Sequence, residues 1–248
     1  MKKLITILIT LSILSTLCSC NSSENKAKET SDNNSSSVTE NTKEAQTQTE
    51  NSKPTESEET KKQKESAKEL EKNISSIYHK SFSIYTDFML KRQEIIDKAA
   101  DDYKTTYEPT DDEINTAINN MKSIDTLSKD SVSKINSLLH ELDSYKTEQS
   151  SSLAKEVKNA VNDIGDYIID WNTAFQAMDA SAAESLDIPC FTKITTSMQI
   201  IAVEIKEFLL DSGLSENEIT AHIGSSDHPF KNFMIDLQNF SNSFGNLE

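Results

Sequence analysis

From Leu70 onward, apolar and polar positions alternate with a helical beat. Leu70, Ile74, Ile77, Ser81, Tyr85, Phe88, Ile95, Ala99 and Tyr103 recur at steps near 3.5, the spacing that stacks side chains on one face of an α-helix. Ser66-Ala67-Lys68-Glu69 precedes this stripe and has the form of a capping box, the hydroxyl bonding forward and the carboxylate back. Pro109 with Thr110-Asp111-Asp112-Glu113 stops the first helix and starts a second, and three carboxylates there suit the positive end of the helix dipole. The second stripe is Ile114, Ile118, Met121, Ile124, Leu127, Ile135, Leu138 and Leu142, with a poorly apolar, irregular middle at Ser128 to Ser133.

A polar stretch, Thr147 to Ser152, turns the chain. Leu153, Val157, Ala160, Ile164, Tyr167, Trp171, Ala174 and Met178 then step by three and four as the third and cleanest stripe. Pro189 restarts the chain for a fourth, with Phe191, Ile194, Met198, Ile201, Ile205 and Phe208, closed by Gly213 just past its end. Ser215-Glu216-Asn217-Glu218 opens a short helix ending near Gly224. Pro229 opens the last helix, with Phe230, Phe233, Leu237, Phe240 and Phe244 on one face. No stretch alternates with strict period two, so the spacing predicts an all-α fold. Short connections make neighbouring helices antiparallel. The prediction is an elongated bundle of about five helices over 66–248. Counting back from the two connections places Ile96, Met121 and the Trp171 to Phe175 turn in one core layer, with Trp171 largely buried. Stripe residues are core residues first, and aromatic or Met side chains at this spacing are packing rather than a cofactor box.

Composition narrows the chemistry. Glycine is confined to Gly165, Gly213, Gly224 and Gly245, so no G-x-G-x-x-G turn or P-loop exists to cradle a phosphate. The same shortage disfavours a turn-rich sheet fold. All 16 aromatic residues lie at or after Tyr78. Before them, Asn21 to Glu65 is almost wholly Ser, Thr, Asn, Gln, Glu and Lys, with Val38 as its one large aliphatic residue. Such a segment cannot bury enough apolar surface to order itself, and it reads as a tether of roughly 35–40 Å mean span.

The N-terminus carries the most specific signal. Lys2 and Lys3 precede an apolar run from Leu4 to Leu17, which is shorter than the roughly 20 residues needed to span a bilayer and fits the h-region of a secretory signal. Leu17-Cys18-Ser19-Cys20 resembles a bacterial lipobox, with Leu three before the cysteine and a small residue directly before it. The resemblance covers the first 20 residues and implies removal of residues 1–19, a diacylglycerol thioether on Cys20 and acyl chains such as palmitate. Two or more chains anchor a protein stably where one does not. The domain order is then signal peptide 1–19, lipidated Cys20 with its tether to residue 65, and one helical domain 66–248. The location is the extracytoplasmic side of the cell membrane.

No catalytic, cofactor or metal residue is assigned on sequence. None of His79, His140, His222 and His228 sits in H-E-x-x-H, and none has Glu three residues earlier. His222 and His228 flank a predicted turn holding Asp227; they read as exposed loop histidines, with a metal pair including Asp227 as the sharper alternative. Cys190 follows Pro189 at a helix start, where the dipole lowers a thiol pKa. It is read as a buried small hydrophobe, with an intermolecular, redox or catalytic role as the alternatives. Asp163, Asp166 and Asp170 form one stripe, read as a solvated face rather than a cation site. From Asn159 to Glu248 three lysines face 14 acidic residues, and Arg92 is the chain's only arginine. Nucleic acid and polyanions need basic residues to neutralise phosphates, so neither is expected as a partner. A basic or neutral protein surface is. The functional expectation is a non-enzymatic binding or structural module of the cell envelope; the alternative is an envelope enzyme of the cell-wall hydrolase type with a site between helices.

Overall fold

The computed structural model describes residues 57–102 and 111–244. Residues 1–56, with the expected signal peptide, Cys20 and most of the expected tether, and residues 103–110 and 245–248 lie outside the described residues. Seven helices are present among those described: α1 (Glu58–Asp102), α2 (Asp111–Asp143), α3 (Ser151–Gln176), α4 (Ala180–Ser185), α5 (Asp187–Asp211), α6 (Glu216–Ile223) and α7 (Pro229–Phe244). The fold is all-α, with no strand among the described residues. The helix that the sequence pattern did not foresee is α4.

Helix α1 begins at Glu58, eight residues before the expected capping box, so Ser66 and Glu69 lie inside the helix. Ser57 provides the start: its Oγ accepts the Thr60 N–H at 3.2 Å, and Glu58 and Glu59 occupy the first turn, where carboxylates suit the dipole. Tertiary contact holds these polar turns in the helix. Lys64 pairs with Glu218 at 3.2 Å and Ala67 is buried.

Helix α1 is the axis of the molecule, packing on α2, α3, α5 and α7. Ile74, Ile77, Tyr78, Phe82, Tyr85 and Phe88 are fully buried along it. Their aromatic partners come from α7 and α3. Phe233 lies 4.4 Å from Tyr78 and 5.0 Å from Phe82, ring centre to ring centre, and Phe240 meets both Phe82 and Tyr85. Each fully buried large side chain contributes about 1.5–3 kcal/mol, so this aromatic seam seats the C-terminal helix on the first one.

The expected irregular stretch of α2 is continuous helix. Ser128 and Ser131 are buried; the small side chain of Ser128 lets α3 approach, with its Oγ 3.4 Å from the Ile168 carbonyl. Gly165 of α3 serves the same approach, since a Cβ there would meet Ile135 Cγ2 at 3.1 Å. The antiparallel register of α2 on α3 is as counted from their connection. Gln176 Nε2 donates to the Met121 carbonyl at 2.9 Å, Asn172 donates to Asp125, and Trp171 is buried. Met178 is not part of the third stripe. It ends α3 at φ 60° with its side chain exposed, in the left-handed position usually given to glycine. Asp179 next caps α4 by accepting the Ala182 N–H at 2.9 Å. Pro189 falls in the first turn of α5, where a missing N–H costs nothing. Gly213, at φ 87°, closes α5 as expected, with Leu214 N–H bonding back to the Leu209 carbonyl.

Candidate functional site

The buried seam of α1 runs Ala67, Glu71, Ile74, Tyr78, Ser81, Tyr85, Phe88, Arg92 in steps of four and three. Two of these positions are charged, and each organises a polar cluster inside an otherwise apolar interior. A buried charge is tolerated only when it is paired and hydrogen-bonded.

Arg92 lies between α1, α3 and α5. Its guanidinium donates to the Tyr167 hydroxyl at 2.7 Å and to Asp187 Oδ2; Tyr167 in turn donates to Asp187 Oδ1 at 2.7 Å. The guanidinium carbon sits 4.2 Å from the centre of the Trp171 ring, a cation–π distance. Burial, opposed by Arg92, pushes the Tyr167 phenol well above its ordinary value. Every charged group here is matched by another from the same chain, so the cluster ties three helices together.

The second cluster surrounds Glu71, which has no solvent exposure. Ser75, one turn on, donates to Oε1. Oε2 lies 2.7 Å from His222 Nε2 and 2.9 Å from His228 Nε2, and the two Nε2 atoms are 3.3 Å apart. Burial pushes the Glu71 carboxyl up, but hydrogen bonds from His222 and His228, the electrostatic influence of His228 and the Ser75 hydroxyl outweigh it and hold the group at about 2. Glu71 is therefore a carboxylate, which only accepts, and both imidazole nitrogens must donate to it. His228 Nδ1 is 3.3 Å from the Phe230 N–H, so in the neutral ring the proton resides on Nε2.

Local structure explains the placement. The capping box of α6 forms as expected, with Ser215 and Glu218 bonded reciprocally, and it sets His222 in the last turn. His228 precedes Pro229 at the start of α7, where its carbonyl accepts the Asn232 N–H. The loop between them is tied down by Lys72 to Asp227 and by Lys231, which donates to the Gly224 carbonyl at 2.8 Å. The reading of His222 and His228 as exposed loop residues is corrected. His228 is fully buried and the His222 side chain keeps 12 % exposure, because α1 covers them. Asp227 does not join them; Lys72, with Ser225, holds its carboxyl down at about 2. The carboxylate that joins them is Glu71, which the sequence reading missed. Its signal was present as an acidic residue in phase with an apolar seam.

The other candidates are simpler. Cys190 is buried, as read, but its pKa is not lowered by the helix start. Burial first, then Asp163 and Asp187, push the thiol up to about 12. Asp163 pairs with Lys193 at 2.8 Å, while Asp166 and Asp170 are exposed, so this stripe is a solvated face. His79 pairs with Asp236 at 2.7 Å. His140 lines an open groove of about 720 Å³ between α2 and α3, where Lys129 and Asn172 hold the Asp125 carboxyl below its ordinary value.

On the outer side of α5, Ile200, Val203 and Leu210 are 44 %, 53 % and 38 % exposed. At roughly 100° per residue they fall within about an 80° arc of the helix, beside exposed Glu207 and Asp211. Among the described residues no helix is long and apolar enough to cross a membrane. Comparison with protein families, with characterised proteins and with solved structures finds no match.

Proposed function

We propose that this chain is a lipid-anchored protein of the cell envelope, held to the membrane through Cys20, whose helical domain is a non-enzymatic binding module. The observation that carries the reading is the outer face of α5. Most large apolar side chains of this helix are buried, yet Ile200, Val203 and Leu210 stand in one arc with acidic neighbours. Apolar anchors with a charged rim are the anatomy of a protein-binding patch. The acidic C-terminal half selects a partner whose facing surface is basic or neutral, and disfavours nucleic acid and other polyanions. The polar tether from residue 21 gives the domain room to reach that partner away from the lipid surface.

A photocrosslinking side chain at Val203, compared with one at exposed Asn136 in the α2–α3 groove, tests this on intact cells. A discrete protein adduct from position 203 and none from 136 is expected, with its yield falling as salt rises. No adduct at 203, or the same products at both positions, would overturn the assignment.

A further inference from the structure

We propose that Glu71, His222 and His228 form a binding site for one divalent transition-metal ion of the zinc class, which fastens the α6–α7 corner to α1. The three are the group of histidine, cysteine and acidic residues among the described residues whose donor atoms converge closely enough for one ion. Glu71 Oε2, His222 Nε2 and His228 Nε2 form a triangle with sides of 2.7, 2.9 and 3.3 Å. The circumradius of that triangle is about 1.7 Å, less than the roughly 2.0–2.1 Å of a zinc bond to imidazole nitrogen or carboxylate oxygen. An ion about 1 Å off the plane therefore reaches all three donors, and spreading the two nitrogen–oxygen pairs by about 0.5 Å gives it the tetrahedral angles that zinc takes. Two imidazoles and one carboxylate suit zinc, nickel, copper or ferrous iron, and are a poor set for magnesium or calcium, which prefer oxygen donors.

The surroundings are already organised. Ser75 orients the carboxylate through Oε1, leaving Oε2 to the imidazoles. The pairs Lys72–Asp227 and Lys231–Gly224 hold the intervening loop. Because Glu71 and His228 are fully buried while His222 keeps an exposed edge, the ion arrives from the His222 side and a water fills its fourth position. Three protein ligands and a water leave one coordination position open, and an ion bound to both α1 and the α6–α7 corner adds its binding energy to the fold. Metal binding reverses the proton arrangement of the free site. Each imidazole must present a bare Nε2 and carry its proton on Nδ1, so His228 gives up the 3.3 Å contact from the Phe230 N–H.

The test uses the purified full chain, stripped with chelator and titrated with zinc, cobalt or magnesium against a competing chromophoric chelator. One zinc per chain is expected, with cobalt giving the strong visible bands of a four-coordinate ion and magnesium failing to compete. His222→Gln keeps an N–H to donate to Glu71, so its helicity and melting profile without metal should stay close to wild type. Its zinc affinity should fall on the order of 100-fold or more, beyond the 10–100-fold typical of losing an outer-shell partner. Nitrogen NMR of the wild-type histidines decides without any variant: zinc should move the protons of His222 and His228 from Nε2 to Nδ1. Unchanged tautomers at saturating zinc, no stoichiometric uptake by the folded chain, or equal affinity in wild type and His222→Gln would overturn the site.

Discussion

Replacing Asp187 by alanine tests whether the Arg92 cluster holds the bundle together. The substitution leaves the guanidinium in place, 5 % exposed at its side chain, with the Tyr167 hydroxyl and the faces of Phe88, Tyr167 and Trp171 as its remaining company. Removing one partner of a buried pair costs about 3–5 kcal/mol, because the charge left behind has lost its solvent as well as its counterion. Asp187 keeps 15 % exposure, so water reaches part of the vacated space and the lower end applies, about 3 kcal/mol. For a domain of this size each kcal/mol moves Tm by about 2–4 °C, which gives a fall of about 6–12 °C. Thermal melts followed by far-UV circular dichroism measure it. The double variant Arg92→Met with Asp187→Ala removes the stranded charge and fills the space with a flexible apolar side chain. It should therefore melt above the single Asp187→Ala variant. A single variant within about 2 °C of wild type, or a double variant that loses the sum of both single losses, would refute the reasoning.

Three further outcomes follow. Cys20→Ser should abolish acylation and move the protein into the aqueous phase of a detergent extraction; continued partition with membranes would contradict lipid anchoring. Hydrogen bonds from the Ser215 hydroxyl and backbone, with Lys64, hold the Glu218 carboxyl at about 2. Its folded value lies below its unfolded one, so its contribution to stability is present above about pH 4.3 and is lost as pH falls towards 2. The stability difference between wild type and Glu218→Gln should accordingly shrink across that window in acid titrations by NMR and thermal melting. Cys190, buried and with its thiol pushed up to about 12, should resist alkylation at neutral pH in the native chain and react once guanidinium unfolds it, as peptide mass mapping will show; rapid native labelling would place the thiol at the surface.

The elements of this protein were legible because helix type and helix ends are encoded locally. The three-and-four steps of Leu153 to Trp171 predict α3 and its buried face. Ser215 with Glu218 predicts α6, Pro229 predicts the start of α7, and Gly213 predicts the end of α5. Where local signals misled, packing had overridden them. Ser66 and Glu69 look like a helix start, yet the ties from Lys64 to Glu218 and from Lys72 to Asp227 run the helix through them. Ser128 and Ser131 look too polar for a core, yet both are buried, and Ser128 lies at the contact between α2 and α3.

The sequence by itself determined the all-helical class, the seam of α1 and, through the short α2–α3 connection, the register that puts Asn172 beside Asp125 and Gln176 beside Met121. It also put two charges, Glu71 and Arg92, in phase with that seam, which requires that each find a partner. Which partner was decided by tertiary structure. Glu71 meets His222 and His228 across 151 and 157 residues of chain, and Arg92 meets Tyr167 and Asp187 across 75 and 95. A helical period fixes the face a residue occupies within one turn of its neighbours. The side chain that arrives opposite depends on the crossing angles and connections of every helix between, and those are set only when the whole core packs.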